Sequence, residues 1–225
     1  PLRRQRQMCI RDSPSPGQNV SLRRAYVSTF GGSFVIQAAG VLSGVLSARL
    51  LGPEGRGLLV VVYLIPSLAC TLANLSLPMA VAYLVSKRQY DGRSVAASAF
   101  WLSVGMAVLV QALLMFTLHL VVPVDKSDAT GVLRWYFLLY VPATFLGTTL
   151  LGIDHGRQDF VRYNVLRVLP PVFYVAGMIA IRAMGAISVA SVAACNLAGV
   201  AFVAVMRMLV QWRQLSPANV RIGIL

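Results

Sequence analysis

The stretch SFVIQAAGVLSGVLSARLLGPEGRGLLVVVYLIPSLACTLANLSLPMAVAYLVS, residues 33–86, decides the fold. It holds most of two long apolar runs joined by ARLLGPEGRG (48–57). The first run, 27–51, has no charge before Arg49, and the second, 58–85, has none at all. The hydrocarbon core of a bilayer is about 30 Å thick and takes ~20 helical residues to cross, so each run can span it. The connector 52–57 is too short for anything but a turn. The reading is two antiparallel transmembrane helices, and the same pattern recurs along the chain.

Six spans follow: 27–51, 58–85, 96–122, 132–151, 165–181 and 187–210. Hydrophobic residues make up 57% of the 225, and charged residues only 12%; a soluble domain carries about 25% charge. The fold class expected is all-α, a polytopic membrane protein with six transmembrane helices. Three regions are expected: a basic N-terminal tail (1–26), a six-helix lobe (27–210) and a linker (211–225). The opening PLRRQRQMCIRDS (1–13) reads as a non-native adaptor remnant and is set aside from the fold. The chain leaves its sixth span through a basic Ser-Pro break and reaches new apolar residues at Ile222. It is therefore expected to be a fragment lacking a C-terminal lobe.

The net charge of +13 does not indicate nucleic acid, because the basic residues fall in short clusters between apolar runs. That distribution marks cytoplasmic loops facing anionic lipid. With 1–13 set aside, one side holds Arg23, Arg24, Lys87, Arg88, Arg93, Arg157, Arg162, Arg167, Arg207, Arg213 and Arg221. The other holds Arg49, Arg56, Lys126, Arg134 and Arg182. Eleven against five places both termini in the cytoplasm.

The acidic residues Asp12, Glu54, Asp91, Asp125, Asp128, Asp154 and Asp159 all fall outside these spans. No carboxylate is then placed to bind a proton or sodium within the membrane, and no paired carboxylates serve glycosyl chemistry. Cys9, Cys70 and Cys195 fit neither a disulfide framework nor a metal site. No metal and no cofactor are expected, and catalysis is not.

Polar residues inside the spans need an internal partner or a hydrated cavity. Gln37 and Asn74, mid-span on adjacent helices, are candidates for lining a substrate path; Ser76, Gln111 and Asn196 read as interhelical hydrogen-bonding residues, and His119 as interfacial. Arg49 can snorkel outward and pair with Glu54, or face the path and attract an anionic headgroup. Gly40, Gly44 and Ala48 form a small-residue ridge for helix packing, as do Ala190, Ala194 and Ala198. Pro66, Pro78 and Pro142 permit kinks. LLGPEGR (50–56) and LLGIDHGR (150–157) match as two inverted three-helix units would, but in so Leu- and Gly-rich a sequence coincidence is the preferred reading.

ARLLGPEGRG followed by LIPSLACTLANLSLPMAVAYLVSK (64–87) resembles the start of polysaccharide biosynthesis proteins, the Wzx-type oligosaccharide flippases. These belong to the multidrug/oligosaccharidyl-lipid/polysaccharide exporter superfamily. GRQDFVRYNVLRVLPPVFYVAG (156–177) resembles the family's approach to its fifth helix. The resemblance implies the N-terminal lobe of a two-lobed transporter in a bacterial or archaeal plasma membrane. Its implied substrate is an undecaprenyl-diphosphate-linked oligosaccharide, moved by alternating access, with membrane lipids and the second lobe as partners. Related lipid II flippases carry arginines in the first helix; this chain has Gln37 and small residues there, with Arg49 only near the end. Multidrug relatives often have an acidic residue in that helix, which this chain lacks. The rival readings are an ion-coupled drug or solute exporter, a membrane enzyme of polyprenyl-linked glycan assembly, and a non-transporting scaffold.

Overall fold

The computed structural model describes residues 18–74, 76–87, 91–121, 127–212 and 215. Among them the chain forms six helices and no strand: α1 (Gln18–Ala73), α2 (Leu77–Lys87), α3 (Gly92–Val121), α4 (Ser127–Gly156), α5 (Phe160–Met184) and α6 (Val189–Gln211). Residues 1–17, 122–126 and 216–225 lie outside the described residues, and so do the expectations for the tail and linker that fall there. The side chain of His119 lies outside them too.

Five helices are long and apolar enough to cross a membrane, the first of them over Tyr26–Ala73. That segment has 48 residues, about 70 Å as a straight helix, and cannot be one crossing of a ~30 Å core. It is broken at Gly52, where φ is 67° and ψ −176°. Only glycine enters that region without strain. Pro53 then opens the second limb, where a missing N–H costs nothing. The expected turn over 52–57 is thus a single-residue break, and residues 53–57 are already helical.

Contacts fix the directions. At one end of the bundle, Asn164 of α5 donates to Ser28 and Thr29 at the start of α1. At the other end, Gly55 lies against Val189 at the start of α6. The second limb then returns: Tyr63 reaches Tyr174, and Asn74 reaches Thr148 near the end of α4. The two limbs are antiparallel. Helix α2 continues the same way, with Pro78 against Gly152 and Ala82 against Gly156. Arg207 and Gln211 of α6 meet Gly147 and Asp154 of α4, so residues 28 and 211 lie at the same end, the Gly152 end. Arg49, Arg56 and Arg182 lie toward the opposite, Gly52 end.

The expected second span, 58–85, is not one helix. It is interrupted between Ala73 and Leu77, where Ser76 takes a φ of 62°. Pro78 therefore sits in the first turn of α2 and does not kink a helix. Pro66 and Pro142 do lie inside helices, as do Pro170 and Pro171. The third, fourth and fifth spans run longer than expected, because hydropathy falls off before helical hydrogen bonding does. The letter similarity of 50–56 to 150–157 does not carry a shared conformation: Gly52 breaks a helix, whereas Gly152 lies inside one.

The core is built on α4. Tyr136, Phe137, Val141 and Phe145 are buried there with Val62, Cys70, Tyr174, Met178 and Val192. The hydroxyl of Tyr136 donates to Asn196 Oδ1 at 2.9 Å, which supplies one partner for the amide of α6. A second cluster at the Gly152 end joins Val81, Val95, Ala99, Leu150, Ile153 and Leu215. Outward-facing side chains are also apolar: Phe30 is 83% exposed, Phe116 66% and Leu209 72%. Water would not tolerate such a surface on a stable monomer, whereas lipid solvates it.

Candidate functional site

The sequence-selected residues do not form one cluster. Gln37 is exposed on the first limb of α1, and Arg49 is exposed one turn before the Gly52 break. Asn74 is at the far end of the second limb, about 30 Å from the break by helical rise. It is not mid-span: it stands where α1 ends and α2 has yet to begin. Its Nδ2 donates to Thr148 Oγ1 at 3.3 Å, while its buried Oδ1 has no hydrogen-bond partner among the described residues. Among the described residues no ion pair joins Arg49 to Glu54. A Cβ added at Gly40 or Gly44 would meet nothing within 4 Å, and Ala48 is half-buried. Close helix approach occurs elsewhere, because other glycines face a neighbouring backbone. Gly152 and Gly156 let α2 lie on α4, and Gly199 lies against Pro170. On α6, Ala194 and Ala198 are exposed while Val192, Ala193, Leu197 and Gly199 are buried, so the alanine stripe is not the packed face.

Asn74 lines a cavity of about 390 Å³ together with Thr71, Ser76, Thr148, His155 and Tyr163. His155 and Tyr163 place their rings 5.0 Å apart on its wall. The cavity lies beside the end of α1 and the start of α2: Ser76 turns left-handed, and the Leu77 N–H bonds back to the Asn74 carbonyl at 2.7 Å. Interrupted membrane helices expose backbone and polar groups where they line a cavity.

A charged cluster lies beside it. Asp154 belongs to the last turn of α4, inside a membrane-crossing helix, and is 1% exposed. This corrects the expectation that every carboxylate lies outside the spans; α4 continues to Gly156 and carries Asp154 inward. Its Oδ1 is 3.8 Å from Arg162 Nε and accepts from Gln211 Nε2 at 3.4 Å. Its Oδ2 is buried without a partner. Arg207, also 1% exposed, donates through Nη1 to the Gly147 carbonyl at 2.7 Å. The approach is open because position 147 carries no side chain. Arg207 lies at the end of the bundle that also holds Arg157 and Arg162, as its place in the charge count has it, but it is buried within a helix. An arginine within VAFVAVMRMLVQW (200–212) was itself a signal for a functional site in the membrane.

The turn that brings Arg162 to Asp154 is locally encoded. Gln158 adopts a φ of 60°, and Asp159 caps α5 by accepting from the Arg162 N–H at 3.2 Å. The capping carboxylate and the chain reversal together set Arg162 under the end of α4.

A family profile described as polysaccharide biosynthesis protein matches residues 22–221. The chain belongs to that family. No curated protein and no solved structure matches it. With its long apolar helices, this polysaccharide biosynthesis protein is a multi-pass helical membrane protein.

Proposed function

We propose that this polysaccharide biosynthesis protein is a flippase that carries undecaprenyl-diphosphate-linked oligosaccharide across the plasma membrane of a bacterium or archaeon by alternating access. In this reading the chain provides six crossings, with α1 contributing two limbs and α2 extending the second. These form the N-terminal lobe over 27–210, and 211–225 leads toward a second lobe. The open face of the first limb, with Gln37, Gly40, Gly44 and Ala48, is where that lobe or the path adjoins it. The Gly152 end is cytoplasmic, because it gathers Lys87, Arg93, Arg157, Arg162 and Arg167. Asn74 then stands at the loading end and Arg49 at the release end. No covalent chemistry is asked of the lobe, and no cofactor or metal.

The observation that carries this reading is the cavity beside the helix break, where Asn74, Ser76, Thr148 and His155 stand among apolar walls, in a chain of this family. The test is complementation of an export-deficient strain with the full-length gene. Asn74→Ala combined with Arg49→Ala is expected to lower surface polysaccharide about tenfold at normal protein level. Export at the wild-type level would remove both residues from the path.

A second reading, an ion-coupled exporter of the same superfamily, is favoured by one observation: Asp154 is buried inside a crossing helix. Asp154→Asn would then abolish dependence of transport on a proton or sodium gradient. Against it stand Arg162, Arg207 and Arg157, all within electrostatic reach of the carboxylate, which leave no net negative charge to hold a cation.

A further inference from the structure

A second cavity, of about 210 Å³, opens on the other side of α4 and shares Thr148 and Leu151 with the first. Since ~10–15 Å³ admits a water, it has room for a phosphoryl group. Its walls are mainly apolar, from Leu166, Pro170, Val200 and Val203, with the hydroxyls of Tyr140, Thr144 and Thr148 among them. Two cations line it: Arg167, which is exposed, and Arg207, which is buried.

Arg207 is the unusual element. A guanidinium has five N–H donors in a planar fork, yet its Nε and Nη2 are buried with no partner among the described residues. Among the described residues it hydrogen-bonds through Nη1, on the Gly147 carbonyl. Asp154 is within electrostatic reach of Arg207 but is shared with Arg162 and Arg157; its Oδ1 lies against Arg162 and Gln211, and among the described residues no ion pair within 4.0 Å joins it to Arg207. A buried charge whose donors are unmatched is costly unless a counter-charge arrives. Apolar walls strengthen that demand, because they lower the local dielectric. Arginine's fork matches two oxygens of a phosphate in bidentate geometry.

We propose that this cavity is an anion site that takes a phosphoryl or diphosphoryl group, with Arg207 at its base and Arg167 at its mouth. Arg207 is four residues from the end of α6 at Gln211, or about 6 Å along the axis. That depth is close to the level of lipid headgroups. The cavity is walled by α4, α5 and α6, and α4 and α5 touch each other least; a phosphate borne on a lipid can enter sideways there without its tail leaving the hydrocarbon. The site rests on the transport reading only for the physiological source of that phosphate.

The test is calorimetric titration of the full-length protein in uncharged detergent with three probes: pyrophosphate, farnesyl diphosphate and farnesol. Saturable binding of farnesyl diphosphate at least tenfold tighter than pyrophosphate, with none of farnesol, identifies a lipid-borne phosphate. Equal binding of both diphosphates identifies the free anion as the source. Binding of farnesol as tight as its diphosphate, or no saturable binding of either diphosphate, overturns the site. Arg167→Gln, at an exposed position, is expected to fold and to weaken binding about tenfold. Arg207→Gln should remove it and Arg207→Lys restore it in part. If Arg207→Gln fails to fold, Arg167→Gln decides: unchanged affinity there refutes the proposal. Diphosphate binding by a protein that cannot complement export would keep the site and sink the flippase reading.

Discussion

Replacing Gly152 with alanine tests the packing that shapes the cavity beside Asn74. A Cβ built at Gly152 would lie 3.1 Å from the Pro78 Cα and carbonyl carbon, and closer still to the carbonyl oxygen. Carbon atoms normally rest at about 3.5–4.0 Å. Helix α2 would have to retreat by roughly half an ångström or more, and a gap of 0.5–1 Å forfeits about a quarter to a half of each affected contact. The obstructing atoms are backbone, so no rotamer change relieves them. Overpacking of this kind costs about 1–3 kcal/mol. Alanine also favours a helix over glycine by ~1 kcal/mol, which opposes the loss. Gly105→Ala is the control, since a Cβ there meets nothing within 4 Å in α3. The two variants share the helical gain, so their difference isolates the clash. For a chain of this size, 1–3 kcal/mol corresponds to a melting difference on the order of 2–12 °C. Melting in detergent, followed by circular dichroism, should place Gly152→Ala below Gly105→Ala by that margin. Equal melting points, or the reverse order, would refute the close contact of α2 with α4.

Gly52→Ala should destabilise the protein by about 1–3 kcal/mol through backbone strain alone, with Gly57→Ala close to neutral; chemical unfolding in detergent measures both, and an unchanged Gly52→Ala would mean the break lies elsewhere. Asn164→Ala removes the bonds to Ser28 and Thr29 at 2.9 and 3.0 Å and should cost about 0.6–1.7 kcal/mol. Its particular signature is faster proteolysis of the first limb relative to the rest of the bundle, and uniform proteolysis would count against it. Tyr136→Phe deletes the hydroxyl bonded to Asn196 and should cost about 1 kcal/mol. The double variant with Asn196→Leu should recover part of that loss, and additive losses would argue that the two do not bond.

Much of the fold was legible because membrane crossing is a local property. A run such as 187–210 must be helical in lipid whatever surrounds it, and α6 spans Val189–Gln211. The cap at Asp159 and the glycine stop at Gly185 are equally local. The break at Ser76 was less so, since its only marks were Asn74 and Pro78 within an otherwise apolar run. The charged cluster escaped because Asp154 lies three residues beyond where hydropathy ends the fourth span. Arg207 was present in its apolar run, and its pairing with Gly147 requires knowing that α4 and α6 touch there.

By itself the sequence determined that apolar helices traverse lipid, how many residues each has available, that the chain turns near Gly52, and the family to which 64–87 and 156–177 point. Only the tertiary structure decided which face of each helix is buried, which glycines carry close contacts, and that Asp154, Arg162, Arg207 and Gln211 converge. The reason is the solvent. In water the buried face of a helix is the apolar one and periodicity reveals it. In lipid both faces are apolar, helix association has no hydrophobic drive, and the packed side is chosen by shape and polar pairing between helices distant in sequence.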